Sequence, residues 1–508
     1  MVVTTVPYEI PQEARQENRI WPLCMAAYLV FFIVCGGLTQ PTLKLKLLQS
    51  AVASVVFCFA IWQLFGARPR HVGLFAPVLA ISTLLLVLLQ LLPLPMGIWS
   101  RLPGRDFVLE SNALLGLQAG FRPFTLSPEG TKGDAIALLP GIAGFFGVLA
   151  MHRRHLYLIA IAIAFCGVFG VLLGLAQRGQ SSESVLFYFG LYGSPSAVGT
   201  FLNRNHFAAQ LYSSIPPLVA VAVILSQKLR VSGWLIAVLT LAYAGMIIAG
   251  LAVVGSRAGI LLAMLTALLT AIMVMHKPNT APSKGLRSTG AAFSGMIIAF
   301  LLLSQVSMVG LLRVVDTDPL SDYRSTIAAV SWETTKNFLP FGSGFGTFVP
   351  VYQMHEKPAD MISSYVNHAH NDWLELLIEG GLPAAVLLVL FVGWFLYRSF
   401  RVWRYKEENV AAILQRACTI SIFCLLLHSL TDYPLRTPGL MVFFAMCCAI
   451  LAMDPENLMG KRLRSGSRQS DSEARNNRGA SSNVMNPVPR RPNQFGSRRP
   501  DNAGKKLP

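Results

Sequence analysis

The sequence predicts an all-α integral membrane protein with about 12 transmembrane helices and one large, partly helical outer loop. Three observations lead there. The 508 residues are 53% hydrophobic and only 13% charged, about half the roughly 25% charged fraction of a soluble globular chain. Apolar runs of about 20 residues, the length that crosses a bilayer core of roughly 30 Å, recur along the chain. Within these runs the apolar residues lie all round the helix rather than along one stripe, as a spanning segment requires.

The runs place spans at approximately 21–38, 47–65, 72–92, 133–151, 156–176, 206–226, 233–253, 258–275, 290–311, 382–397, 411–430 and 437–453. Lys and Arg in the connections set their orientation. The connections 66–71, 152–155, 227–232, 276–289 and 398–410 hold 13 Lys and Arg in 43 residues, whereas the alternate set holds 14 in 157. The first set is therefore cytoplasmic and both termini lie inside. Lys44 and Lys46 run against this rule and are expected to snorkel at the interface. Residues 1–20 form a polar cytoplasmic segment without the basic start or cleavage site of a removed signal peptide, and 21–453 form the membrane domain. Residues 454–508, with 12 basic and 5 acidic side chains and no apolar period, are expected to be a disordered cytoplasmic tail.

This division explains the net charge of +17. The tail carries +7 and the cytoplasmic connections +11, so everything else sums to −1. The basic balance reports topology, and no nucleic-acid partner is expected. The eight cysteines all fall in membrane segments, with no zinc spacing or disulfide framework, and act as small apolar packing residues.

The longest outer connection, 312–381, has nine acidic residues, four basic residues and the histidines His355, His368 and His370. Apolar spacing at Ile327, Val330 and Trp332 predicts a helix around 322–338. Pro340, Gly342, Gly344 and Gly346 mark a turn, and a second helix is expected from about Asn371 to Glu379. The loop is thus a small folded subdomain at the membrane surface. Its densest polar cluster runs from Asn367 to Asp372. Three readings fit: a metal site of His368 and His370 with Asp372 or His355, a helix cap at Asn371 or Asp372, or a catalytic site with a histidine as base.

Other outer residues bear on the choice. Arg257 opens an apolar helix in a Gly-Ser-Arg-Ala-Gly stretch, where an arginine either snorkels or works. Arg324 lies early in the loop. Arg204, Asn205 and His206 begin another helix on the same side, where free N–H groups face anions. His428 and Asp432 end a span there, with a buried hydrogen bond between them as the plainer reading. Arginine suits bidentate phosphate binding, and a lipid-linked phosphate would sit at this depth.

Four ordered patches resemble the O-antigen ligase/polymerase superfamily of bacterial glycosyltransferases: GTFLNRNHFAA (199–209), GSRAGILLA (255–263), YRSTIAAVSWETTKNFLPFGSGFGTF (323–348) and HAHNDWLELLIEGGLPAA (368–385). The last follows the family's H-N-x9-G spacing from His370 to Gly381, and HSLTDYPLRTP resembles a frequent C-terminal patch. Arg204 and Ala384 depart from the pattern. The resemblance implies a GT-C-like membrane enzyme of the bacterial inner membrane, with the loop periplasmic. It implies His370 as catalytic base, with Arg257 and Arg324 on the diphosphate of an undecaprenyl-diphosphate-linked glycan; Arg204, Asn205, Asn371 and His368 complete the candidate substrate-binding set. The expected reaction is metal-independent, cofactor-free and inverting, and it joins the glycan to lipid A–core. A repeat-unit polymerase of O-antigen or exopolysaccharide, with a growing polysaccharide as acceptor, is the alternative, and a protein O-glycosylation ligase a further one. A flippase of lipid-linked saccharides is the rival of another class; it would place polar residues or broken helices at the bilayer midplane, whereas here the helix centres are apolar.

Overall fold

A computed structural model describes residues 20–66, 73–117, 120–181, 184–187, 197–228, 233–275, 319–361, 365–405 and 409–454. The expected span 290–311, the loop before 319, the N-terminal segment up to 19 and the tail from 455 lie outside the described residues.

The described residues are almost wholly helical. The apolar helices are α1 (Ile20–Cys35), α2 (Leu43–Gly66), α3 (Phe75–Leu89), α6 (Pro128–Leu149), α7 (Tyr157–Gln177), α8 (Arg204–Lys228), α9 (Gly233–Val254), α10 (Arg257–Met275), α13 (Asp372–Arg404), α14 (Val410–His428) and α15 (Pro438–Ala452). Two short helices, α4 (Met96–Trp99) and α5 (Asp106–Leu114), lie between α3 and α6; α11 (Pro319–Phe338) and α12 (Phe348–His355) precede α13. Among the described residues seven helices are long and apolar enough to cross a membrane, and four apolar ones are shorter: Ile20–Cys35, Phe75–Leu89, Ala242–Val254 and Pro438–Ala452. Each begins or ends within a few residues of an expected span, with one difference. The helix expected at 371–379 and the span expected at 382–397 are one element, α13, broken at Gly381 (φ 57°, ψ −151°).

Local chemistry sets the boundaries. Ser127 caps α6, its hydroxyl accepting from Gly130 N at 3.2 Å, and Pro128 fills the first turn, where a missing N–H costs nothing. Asn409 caps α14 by accepting from Ala412 N at 2.8 Å. At the far end of α13, Arg398 bonds the Leu451 carbonyl at 3.0 Å and Asp454 at 3.0 Å, a cation on the open carbonyls at the C-terminus of α15. In the bundle, α6 packs on α2 and α15, and α8 on α7, α10 and α14. The eight cysteines are all free.

Two further layers cover one end of the bundle. The connection between α3 and α6 holds a two-stranded antiparallel ribbon, Pro93–Pro95 with Phe121–Pro123. It also buries Arg105, whose guanidinium lies 5.3 Å from the Trp99 ring centroid and 5.6 Å from that of Phe124. Burial lowers this arginine's pKa to about 10. The loop forms its own apolar cluster, in which Ile327, Phe338, Val351, Tyr352 and Ile378 are buried.

The Gly-rich turn after α11 then fastens loop to bundle. Ser343 N donates to Ile378 O at 2.9 Å, Gly344 N to Glu379 O at 2.9 Å and Leu382 N to Pro340 O at 2.7 Å. A Cβ on Gly381 would stand 2.4 Å from Pro340 O, and one on Gly342 2.5 Å from Glu379 O. The two glycine motifs are therefore two sides of one backbone contact, and the break in α13 is where it is made.

Candidate functional site

The site grows from the strained turn before α13. His370 has φ 49°, the one positive φ on a non-glycine residue among the described residues. Such a conformation costs about 1–3 kcal/mol and persists only where its surroundings over-determine it. Here they do. The Asn371 side chain caps α13, accepting from Trp373 N and Leu374 N at 3.0 Å each. Ala369 N donates to Glu375 Oε2 at 2.8 Å. Asp372 N donates to Ser429 O at 2.8 Å, and Ser429 Oγ returns a bond to Asp372 Oδ2 at 2.8 Å.

His370 points at Asp432, in the short connection between α14 and α15. Its Nδ1 is 3.6 Å from Asp432 Oδ1, and His206 Nε2 is 3.8 Å from the same oxygen. The other carboxylate oxygen accepts from Asn205 Nδ2 at 2.6 Å and from Arg324 NH2 at 3.4 Å. Asp432 is only 1% exposed. Burial opposes its ionisation, but the His206 and His370 imidazoles outweigh burial and hold its pKa well below the usual carboxylate range. Asn205 carries the network onward: its Oδ1 accepts from Ser256 Oγ at 2.7 Å, and Ser256 Oγ accepts from Gly259 N at 3.0 Å, capping α10. Arg257 is next in the chain and exposed, and Arg204, beside Asn205, is half-buried.

Tyr433 is the hub of the aromatic contacts. The rings of His206, His368 and His370 lie 4.9, 4.4 and 4.9 Å from its ring centroid. Burial raises the Tyr433 pKa, so its hydroxyl stays protonated.

A second cluster adjoins the first. Arg436 NH2 stands 3.2 Å from Glu379 and 3.3 Å from Glu375, its NH1 3.5 Å from Asp134 and its Nε 3.6 Å from Asp372. Burial works against its charge, yet the four carboxylates, Glu375 first, raise its pKa well above the ordinary value. His368 Nδ1 is 2.9 Å from Glu375 Oε1, which ties this cluster to the Tyr433 group.

The structure thus joins His370, Arg324 and Asn205 through Asp432, while Arg257 and Arg204 are the chain neighbours of Ser256 and Asn205 in that network. It sets His368 against Tyr433 and the Arg436 cluster. Asn371 serves the backbone as a cap. The metal reading of the histidine cluster is not met: Glu375 engages His368, Ser429 and Arg436 engage Asp372, and His355 Nδ1 lies 2.9 Å from the Val351 carbonyl. Among the described residues no three His, Cys, Asp or Glu side chains converge as a metal site. The buried hydrogen bond expected between His428 and Asp432 is present through the backbone. Asp432 N donates to His428 O at 2.9 Å, while His428 Nδ1 lies 3.0 Å from Tyr212 Oη inside the bundle. Lys46, expected to snorkel, lines a polar cavity with Asp134 and Arg436. Sequence reasoning placed His206 at a helix start without a role of its own and passed over Tyr433 and Arg436; their signal was proximity to motif residues, in the NRNH and DYPLR stretches.

Fold and site together define a polytopic membrane protein with a His–Asp–Arg network at one end of its bundle. Residues 242–389 match the family model described as O-Antigen ligase. The match is to the same superfamily that the sequence patches resemble. The matched stretch contains Arg257, Arg324, His368, His370 and Asn371, whereas Asn205 and Asp432 reach the site from outside it. No curated protein matches the chain.

Proposed function

We propose that this protein is an O-antigen ligase-type glycosyltransferase of the bacterial inner membrane. It transfers a glycan from undecaprenyl diphosphate to a sugar hydroxyl of lipid A–core at the periplasmic face. The observation that carries the reading is Asp432, which brings the strained His370 and Arg324 onto one buried carboxylate.

With Nδ1 facing Asp432, a proton on Nδ1 leaves Nε2 with its lone pair available. Nε2 takes the acceptor hydroxyl's proton as that oxygen attacks the anomeric carbon. The new C–O bond forms while the bond from the anomeric carbon to the diphosphate oxygen breaks, with inversion. The diphosphate leaves with the electron pair. Arg257 and Arg324 neutralise it, an effect of about 3–4 kcal/mol per well-placed donor, while general-base help contributes roughly 10²–10⁴ in rate. Asp432 meanwhile stabilises the imidazolium.

The test is replacement of the chromosomal gene by a His370→Ala allele, followed by analysis of surface glycans. Free lipid-linked polymer with bare core supports the ligase reading. Core bearing one repeat unit, or loss of secreted polysaccharide, assigns a polymerase instead. Normal glycan display with this variant present at wild-type level overturns the base assignment.

A further inference from the structure

The connection between α3 and α6 carries an apolar surface that the described residues leave open. Ile98, Phe107, Leu114, Leu115, Leu117 and Phe121 are all exposed, Leu114 by 88%, Leu115 by 71% and Phe121 by 65%. Single exposed leucines are ordinary on a protein surface, whereas six large apolar side chains within 24 residues mark a contact site. Backbone geometry builds part of it. A Schellman turn ends α5: Leu117 N donates to Asn112 O at 3.0 Å and Gly116 N to Ala113 O at 3.2 Å, with Gly116 at φ 64°. Such a turn usually packs the residue after the glycine on an apolar side chain of the last helical turn. Here positions 111 and 112 are Ser and Asn, so Leu117 finds no apolar partner there and stays exposed.

Where this surface begins indicates its partner. At the end of α3 the row Leu85, Leu89 and Leu92, spaced i, i+4, i+7, is also exposed, as on the lipid-facing side of an apolar helix. Backbone bonds carry the row into the ribbon: Phe124 N donates to Leu92 O at 3.1 Å, and Phe121 pairs with Pro95. The open surface therefore continues from the side of the bundle onto its end. Arg101, Asp106 and Glu110 are exposed on the same segment, which suits headgroup depth and not the hydrocarbon core.

The same segment grips the long loop. Arg105 is buried among the rings of Trp99, Phe124 and Phe338, its guanidinium 5.9 Å from the Phe338 ring centroid. Its NH2 donates to Phe124 O at 2.8 Å, while Nε and NH1 have no hydrogen-bond partner among the described residues; ring faces meet that side of the cation instead. Gly104, at φ 73°, lets the backbone press on Phe338, where a Cβ would collide with the ring. Phe338 ends α11, the helix that carries Arg324.

We propose that α5, the leucines that follow it and Phe121 form an interfacial anchor. They sit at the boundary between lipid headgroups and acyl chains, and through the Arg105 cage they fix the Phe338 end of α11 at the membrane surface.

The test uses the full chain in nanodiscs of phosphatidylethanolamine and phosphatidylglycerol and needs no transfer assay. p-Acetylphenylalanine in place of Leu115, Phe121 or Glu110 is labelled with a hydroxylamine nitroxide, which spares the eight cysteines. Electron paramagnetic resonance reads collisions with oxygen, which concentrates in lipid, and with a water-soluble nickel chelate. The oxygen-to-nickel ratio is expected to be about fivefold or more higher at 115 and 121 than at 110, for side chains seated in the headgroup–acyl boundary. A ratio at 115 and 121 equal to that at 110 overturns the proposal. Low collision with both reagents means that protein, such as a second copy, covers the surface, and overturns it too. The anchor is read in Leu114→Asp/Leu115→Asp, whose replaced side chains are largely exposed. Amide exchange across 323–338 should rise about threefold or more while α8 exchanges as in wild type. Unchanged exchange across 323–338 overturns the hold on α11.

Discussion

His370 Nδ1 faces Asp432 Oδ1 at 3.6 Å, across the join between the long loop and the turn that links α14 to α15. The carboxylate is anchored independently of the histidine, by Asn205 at 2.6 Å. It is therefore a fixed feature against which the imidazole is oriented, and it also holds Arg324. One residue couples the proposed base to a proposed diphosphate ligand.

Asp432→Asn keeps the shape of this junction but removes its charge. The imidazolium formed during transfer then lacks its counter-ion, and Arg324 loses a partner. We expect the transfer rate to fall about a hundredfold or more, on the scale of a lost general base, in a single-turnover assay at saturating donor. A rate within threefold of wild type refutes the coupling.

The same carboxylate makes a statement about pH. Its folded pKa lies well below the usual range because His206 and His370 outweigh the effect of burial. A depressed carboxylate contributes stability that is present above the unfolded value, about 3.9, and lost as pH falls through the folded value. Between about pH 5 and 8, Asp432 stays ionised, so it contributes no slope to stability there. Thermal unfolding of wild type and Asp432→Asn should therefore show the stability difference shrinking as pH falls below about 4. A difference that does not shrink there removes Asp432 as a carboxylate held below its usual range.

Much of this arrangement was legible in the chain. Uninterrupted apolar segments fixed α6, α7, α8 and α10 to within a few residues, because a span has to be apolar all round. The turn chemistry of Pro340 to Gly346 and the Asn371 cap were readable for the same local reason. The partners were not. Asp432 is 62 positions from His370 and Asn205 is 227 from Asp432, and nothing periodic links positions that meet only after helices pack. Lys46 shows the limit most plainly: at the start of an apolar helix, the pattern cannot distinguish a snorkelling lysine from one that lines a cavity.

Gly381 tests the backbone seam. Its φ of 57° and the 2.4 Å separation of a built Cβ from Pro340 O leave no room for a side chain. Gly381→Ala must move the Gly-rich turn away from α13, which also carries the His370 turn. We expect a loss of about 2 kcal/mol or more, within the range of backbone strain at such positions. Thermal unfolding in detergent reads the stability, and cleavage of the 340–346 turn by limited proteolysis reads the displacement. Wild-type behaviour in both would show that the seam does not hold the loop.

Arg436 is expected to be a highly sensitive charge among the described residues. It stands within 3.6 Å of Asp134, Asp372, Glu375 and Glu379, and removing it strips the buried Glu375 and Glu379 carboxyls of the donor they share. Breaking such a pair by deleting one partner costs about 3–5 kcal/mol. Arg436→Met should therefore unfold at markedly lower temperature, and Arg436→Lys should fall between the two, since an ammonium keeps the charge but lacks the planar fork. Equal unfolding temperatures for Lys and Met would mean that fork geometry, not charge, holds the cluster.

His370 offers a test that separates strain from chemistry. At φ 49° a Cβ is disfavoured whatever the side chain does, whereas glycine adopts this region freely. His370→Ala and His370→Gly both delete the imidazole, so both should lose transfer. They should differ in stability: on strain alone the glycine variant gains about 1 kcal/mol over alanine, less whatever backbone entropy it loses on folding. If His370→Gly unfolds above His370→Ala while both are inactive, the protein holds a strained backbone in order to present this imidazole. If alanine is the more stable by more than the ~1 kcal/mol of backbone entropy that glycine loses, the left-handed turn carries no strain, and the argument that the surroundings force His370 into place fails with it.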